Sequence, residues 1–451
     1  MGKIRKIIYV IFLFVLIGNS VFAQEDKRVG LVLSGGTARG LAHIGVLKVL
    51  EEEKVPVEYV TGTSMGSIIG GLYSIGYTPD EIEKIASEMD WISLFNDSIE
   101  RKDKGISRNL IEDRNTMVLP MEKFIPKIPS GAVGGKSASE QLNNLFFGVL
   151  EVNDFKKFPK KFALVATDLN TGEGVMIDRG SIATAVRSSL SIPSVFNPVQ
   201  DGERLYVDGG VVRNLPVQDV KVLGADYTIG INVGEGFSKR DPEKLNIAGV
   251  ISDSMTIAGR QEVERQIRML DLYMTPNLEK IESYDFGKVK EIIAAGEKVA
   301  RDNIESIRKL SNPEKFAELE EKRREFRKTW KEEYDIKHVE IRGNKKYEKK
   351  YFNKYFCKYK SKTRFNKFEY SVFKRMIYKE WYFDQDDTFE DWVYRSRINL
   401  ALMGYIEGSK TSTGEKLFTG FKPNHAIVIG AVRNNNQSAI KQLPILYKGG
   451  Q

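Results

Sequence analysis

Between residue 29 and about residue 235, short apolar runs alternate with segments of helical periodicity. Val29-Gly30-Leu31-Val32-Leu33 reads as a buried strand, because no polar residue interrupts it. Leu41, Ile44, Leu47 and Leu50 then recur at helical spacing, Pro56 ends that pattern, and Val57 to Val60 read as a second strand. Met65 to Ile75 predicts the next helix, and Phe162 to Ala166 and Tyr227 to Val233 predict further strands. This βαβ rhythm predicts an α/β fold with a mostly parallel sheet flanked by helices. From about Pro242 to Trp330 the pattern becomes helical, and Glu314 to Trp330 is dense enough in charge to suit a solvated helix face.

A chain of 451 residues has room for one large domain and a smaller appendage, and 41% hydrophobic against 29% charged residues permits a sizeable core. The first 23 residues carry Lys3, Arg5 and Lys6, then an apolar run from Ile7 to Ile17, then Val21-Phe22-Ala23. A basic start, a run too short for a comfortable membrane span and a small-x-small end predict a Sec-type signal peptide over 1–23, with a retained anchor as the alternative. A lipidated cysteine is excluded at the cut, because the single cysteine is Cys357, which also rules out an internal disulfide.

The chemistry concentrates in three places. Gly62-Thr63-Ser64-Met65-Gly66 is a G-x-S-x-G between a strand pattern and a helix pattern, the context of a nucleophile elbow. The turn is tight, so its flanks must be small, and the following helix aims its positive end at developing negative charge. Ser34-Gly35-Gly36-Thr37-Ala38-Arg39-Gly40 joins the first strand to the first helix, and its backbone N–H groups suit either a phosphate or an oxyanion. No Gly-Lys-Ser/Thr follows, and Thr37 occupies the middle glycine of a dinucleotide fingerprint, so beside a serine elbow the oxyanion is the better reading. Asp208-Gly209-Gly210 follows the run Arg204-Leu205-Tyr206-Val207; taken alone, it suits a hairpin turn better than a catalytic role.

Three histidines are available to serve a serine. His43 precedes Ser64 on the first predicted helix, against the Ser…Asp…His order, while His338 and His425 lie far toward the C-terminus. A carboxylate acting directly on the serine is therefore favoured, and it must come within about 2.6–3.2 Å of the hydroxyl.

Taken together and in order, these motifs resemble the patatin-like phospholipase family over roughly residues 29 to 310. The stretch Ala185-Val186-Arg187-Ser188-Ser189-Leu190-Ser191-Ile192-Pro193 resembles the segment that precedes the family's aspartate. The resemblance implies a three-layer sandwich, a catalytic domain over 24–330, Ser64 as nucleophile and Asp208 as general base. It also implies an oxyanion hole from Gly35, Gly36, Thr37, Ala38, Arg39 and Gly40, with Gly62 and Gly66 shaping the elbow and Gly209 and Gly210 completing the aspartate signature. It implies acyl-ester hydrolysis without a metal or other cofactor. Thr37 departs from the family's third glycine, and a threonine would be strained if that position needs positive φ.

Ile336-Lys337-His338-Val339-Glu340-Ile341-Arg342-Gly343-Asn344 resembles the opening of a POTRA module, which implies a small α+β, POTRA-like module over 334–410. The tail 411–451 would then be a remnant of an outer-membrane β-barrel, since a closed barrel needs at least about 8 strands of about 10 residues. Between Asn344 and Glu380, 13 Lys/Arg stand against 3 acids with 11 Tyr/Phe interleaved, which suits an acidic lipid surface or a solvated basic face. Nucleic acid is a poor partner for an exported chain. The expected function is a phospholipase A-type lipid hydrolase with phospholipid or another fatty-acyl ester as substrate, exported to the periplasm, outer membrane or cell surface. The alternatives are an outer-membrane-associated adaptor that binds lipid without turnover, and a secreted serine peptidase.

Overall fold

The computed structural model describes residues 27–94, 121–122, 125–126, 131–234, 257, 259–335 and 364–366. The expected signal peptide, the 411–451 tail, His338, His425 and most of the 334–410 segment lie outside the described residues. Within that last segment, Glu333–Asp335 pairs antiparallel with Arg364–Asn366. The described residues divide into two compact units: those within 1–88, 154–180 and 208–328 form the first, and those within 89–153, 181–207 and 329–451 the second.

The first unit contains, in order, β1 (Val29–Leu33), α1 (Ala42–Glu52), β2 (Val57–Thr63), α2 (Met65–Ile75), α3 (Pro79–Glu88), β3 (Lys161–Asp168), β4 (Glu173–Ile177), α4 (Val217–Leu223), β5 (Tyr227–Ile231), β6 (Leu272–Met274), α5 (Val289–Asp302) and α6 (Pro313–Lys328). Its strands run in the order β6-β5-β1-β2-β3, each parallel to its neighbour, with β4 antiparallel on β3.

Residue alternation along β1 assigns the two faces of this sheet. Gly30 lies so close to the α4 side that a Cβ there would sit 2.5 Å from Ala225 Cβ. Val32, on the same face, joins Tyr59, Leu215, Val217 and Val220 in one buried cluster. On the opposite face, Leu33, Val60 and Phe162 surround Gly70 of α2. Helices on both sides of the sheet make a three-layer α/β arrangement. Leu33, Val60 and Phe162 are fully buried, each a gain of about 1.5–3 kcal/mol over exposure. Helix α1 crosses α5 at two glycines: a Cβ on Gly296 would lie 1.8 Å from Ala42 O, and one on Gly45 would lie 2.1 Å from Ile293 O.

The region after residue 242 is not continuously helical as its pattern predicts. Strand β6 interrupts it, pairing Leu272 with Ile229 and Met274 with Ile231. Three residues are too few to carry a periodic signal, and their order comes from the sheet edge they join. No helix among the described residues is long and apolar enough to cross a membrane.

In the second unit, the strands Gly131–Val133 and Ser194–Phe196 pair in parallel. Val199–Asp201 pairs antiparallel with residues 204–206 in a hairpin, turned at Gly202 with φ of 60°. The Ala185–Pro193 stretch covers most of the helix Ile182–Ser189, which is capped by the Ser181 side chain. Arg187 on this helix is buried; it donates to Gly135 O at 3.3 Å and to Ser191 Oγ at 2.5 Å, and its guanidinium lies 4.4 Å over the Phe196 ring.

Candidate active site

Strand β2 ends at Thr63 and α2 begins at Met65, so the chain reverses at the single residue Ser64, with φ 51° and ψ −122°. Such a backbone is costly for a residue with a side chain and survives only where its surroundings enforce it. The glycines supply the room: a Cβ on Gly62 would sit 2.4 Å from Gly66 O, and one on Gly66 would sit 2.2 Å from Leu33 O. The first free turn of α2 thereby begins at the serine, and Ser67 N and Ile68 N both donate to Ser64 O.

Ser64 Oγ donates to Asp208 Oδ2 at 2.7 Å, and both residues are buried. Asp208 is otherwise held on two sides. Its Oδ1 accepts from Gly210 N at 2.7 Å, and its carbonyl accepts from Thr167 Oγ1 at 3.0 Å. Gly209 must be bare, because a Cβ there would lie 2.2 Å from Val165 O. The Asp-Gly-Gly segment is thus the exit of a strand into a short turn over Gly209–Val211. Burial pushes the Asp208 carboxyl up to about 6, against the hydrogen bonds from Ser64 and Gly210 that favour its charged form. At neutral pH it is a carboxylate, able to take the serine proton directly.

The glycine loop packs against the same turn. A Cβ on Gly40 would collide with Met65 Cγ at 2.3 Å, and one on Gly35 would lie 2.9 Å from Ser64 Cβ. Its N–H groups divide into two sets. Gly35 N donates to Asn214, Ala38 N to Ser283 O and Arg39 N to Gly36 O. Among the described residues no hydrogen bond engages the N–H groups of Gly36 and Thr37. The Arg39 guanidinium is turned to Ile281 O, at 2.8 Å. Thr37 takes φ of 48°, and its buried hydroxyl has no hydrogen-bond partner. A β-branched residue in that region is strained by roughly 1–2 kcal/mol.

His43 is fully buried, with Nε2 donating to Ser34 O at 2.9 Å and Nδ1 unpartnered. Burial holds its imidazole down at about 4, so it is neutral and committed to the loop rather than to the serine. Among the described residues no group of three or more His, Cys, Asp or Glu side chains is gathered as metal ligands would be. Three contributors went unnoticed in the sequence: Thr63 Oγ1 donates to Arg213 O at 3.1 Å, Thr167 holds Asp208, and Asn214 holds Gly35. Thr167 and Asn214 stand outside the motifs, and Thr63 fills a variable position of the G-x-S-x-G, so none carries a local signal of such contacts.

Residues 31–221 match the family model for patatin-like phospholipases. That stretch of the chain is similar to the patatin-like phospholipases. The chain is 25% identical over 323 residues to a lysophospholipase, nte1, of Emericella nidulans, an alignment covering 66% of this chain and 19% of the relative. It is 32% identical over 225 residues to an uncharacterized NTE family protein of Mycobacterium bovis, covering 49% of this chain and 54% of that one. The solved structure of VipD from Legionella pneumophila aligns with 94% of this chain and 90% of its own at 13% identity, with a TM-score of 0.37. The chain therefore spans about a fifth of the length of the fungal lysophospholipases it matches. The matched stretch contains the glycine loop, the serine turn, Asp208 and Asn214.

Proposed function

We propose that this chain is a serine lipid acyl hydrolase of the phospholipase A type, with Ser64 as nucleophile and Asp208 as its base. The observation that carries the proposal is the 2.7 Å hydrogen bond from Ser64 Oγ to Asp208 Oδ2, at a strained strand-to-helix turn. The match of residues 31–221 to the patatin-like phospholipases supports lipid esters as substrate. In the proposed mechanism Asp208 takes the Ser64 proton as Oγ attacks the acyl carbonyl carbon. The Gly36 and Thr37 N–H groups receive the oxyanion, and the alcohol or lysolipid leaves with a proton. Water, deprotonated by Asp208, then attacks the acyl-serine ester and releases the fatty acid. Export and contact with a membrane surface are part of the same proposal and rest on the 1–23 pattern and the basic-aromatic stretch of 344–380.

The test is hydrolysis of a defined phospholipid panel by the full chain, with a peptide substrate as control. Ser64→Ala and Asp208→Asn should each lower turnover by about 10⁴-fold or more with circular dichroism unchanged. Normal turnover by a folded Ser64→Ala protein would refute the proposal, and cleavage of the peptide but of no lipid would replace it with a peptidase.

A further inference from the structure

Asn214 lies outside every motif read from the sequence, yet it ties the site together. Its Oδ1 accepts from Gly35 N at 3.1 Å, and its Nδ2 donates to Gly35 O at 3.1 Å. A side-chain amide that accepts from and donates to one residue's backbone copies the pairing of a neighbouring strand, and it fixes the peptide planes on both sides of that residue. The fit leaves no slack, because a Cβ on Gly35 would sit 2.6 Å from Asn214 Oδ1. The segment bearing Asn214 is itself anchored at the other two parts of the site. Arg213 N donates to Gly209 O at 2.8 Å, beside Asp208, and Arg213 O accepts from Thr63 Oγ1, beside Ser64.

Two residues past Gly35 stands Thr37, at φ of 48°. Released from restraint, a threonine there relaxes toward negative φ, which swings the adjoining peptide planes and the N–H groups they carry. Something must hold the loop against that relaxation, and the amide on Gly35 is anchored to do so.

We infer that Asn214 is a positioning residue: it holds the glycine loop, against the strain at Thr37, in the conformation that keeps the Gly36 and Thr37 N–H groups open to an oxyanion. The inference rests on the proposed role of Ser64 and deepens it. The experiment is steady-state hydrolysis of p-nitrophenyl butyrate, across pH, by the full chain and by Asn214→Ala, Thr37→Gly and the double variant. Asn214→Ala should lower kcat by about 100-fold, with KM and the pH midpoint unmoved. In the Thr37→Gly background the same change should cost about tenfold less, because the strain that the amide opposes is gone. Thermal melts check the fold, and Asn214→Ser carries the same cycle if Asn214→Ala does not fold. An unchanged kcat in Asn214→Ala, or losses that simply multiply in the double variant, would overturn the inference. Failure of the unmodified chain to hydrolyse any ester, or of Ser64 to react with a fluorophosphonate, would instead sink the hydrolase reading itself.

Discussion

Ser64 Oγ and Asp208 Oδ2 meet at 2.7 Å although 144 residues separate them along the chain. The contact makes the proposed hydrolysis pH-dependent in one direction. Only the carboxylate can accept the serine proton, and burial pushes Asp208 up to about 6. Turnover should rise with pH through about 6 and level off above it, as read from kcat/KM between pH 4 and 9. In Ser64→Ala one of the two hydrogen bonds favouring the charged form is lost, so the carboxyl should titrate higher still, a shift visible by carbon NMR. A flat profile across pH 5 to 7 would contradict the assignment of Asp208 as base.

His43 gives a second pH dependence, in stability rather than rate. Its ordinary value of 6.5 is lowered to about 4 in the folded chain. The unfolded chain therefore binds more protons between those values, so stability is full above about 6.5 and is lost as the pH falls toward 4. The loss amounts to something on the order of 3 kcal/mol. Asp208 works the opposite way: its raised value favours the protonated folded form, and its stabilising effect fades as pH rises from 3.8 to about 6. Comparing urea midpoints of the unmodified chain and His43→Gln at pH 7 and pH 4.5 isolates the histidine. The acid sensitivity should shrink in the variant.

Gly66→Ala should damage the elbow and the glycine loop together. Its Cβ would press on Leu33 O at 2.2 Å and Ser34 O at 2.7 Å, and neither atom is the end of a flexible side chain. A destabilisation of about 1–3 kcal/mol is expected, with ester hydrolysis lost in the molecules that still fold. Denaturant unfolding and a parallel rate measurement would check both, and a variant of full stability and full rate would show that the turn can open.

Arg187→Lys should destabilise the second unit without touching Ser64 or Asp208. The buried guanidinium reaches Gly135 O and Ser191 Oγ at once and lies over Phe196, a fork that a lysine cannot reproduce. Loss of such charge-assisted bonds costs about 1.5–3 kcal/mol. Hydrogen exchange should report faster opening of the helix Ile182–Ser189, and unchanged protection would show that its order does not depend on this side chain.

Legibility followed the range of the forces. Helix α2 spans the residues its pattern predicts, Met65–Ile75, because a mostly apolar segment is closed by Gly76 at φ of 115°, a local stop signal. Strand β2 runs past Val60 to Thr63 because Thr61, Gly62 and Thr63 gain partners in β3, which their polar or small character does not advertise. Strand β6 was invisible for the same reason, and so was the division into two units, since residues 89–153 and 181–207 group by contacts distant in sequence.

The sequence by itself determined the three-part vocabulary of the site: a serine between obligatory small residues, a glycine loop after the first strand, and an aspartate before two glycines. Those are short-range steric demands, so they leave a mark within a few residues. Only the tertiary structure decided that the Asp208 carboxylate meets the Ser64 hydroxyl, that burial lifts it to about 6, and that Asn214 and His43 brace the loop. Each of these depends on which surfaces the parallel sheet brings together and how much water it excludes. Neither distance nor desolvation is written in the spacing of residues along a chain.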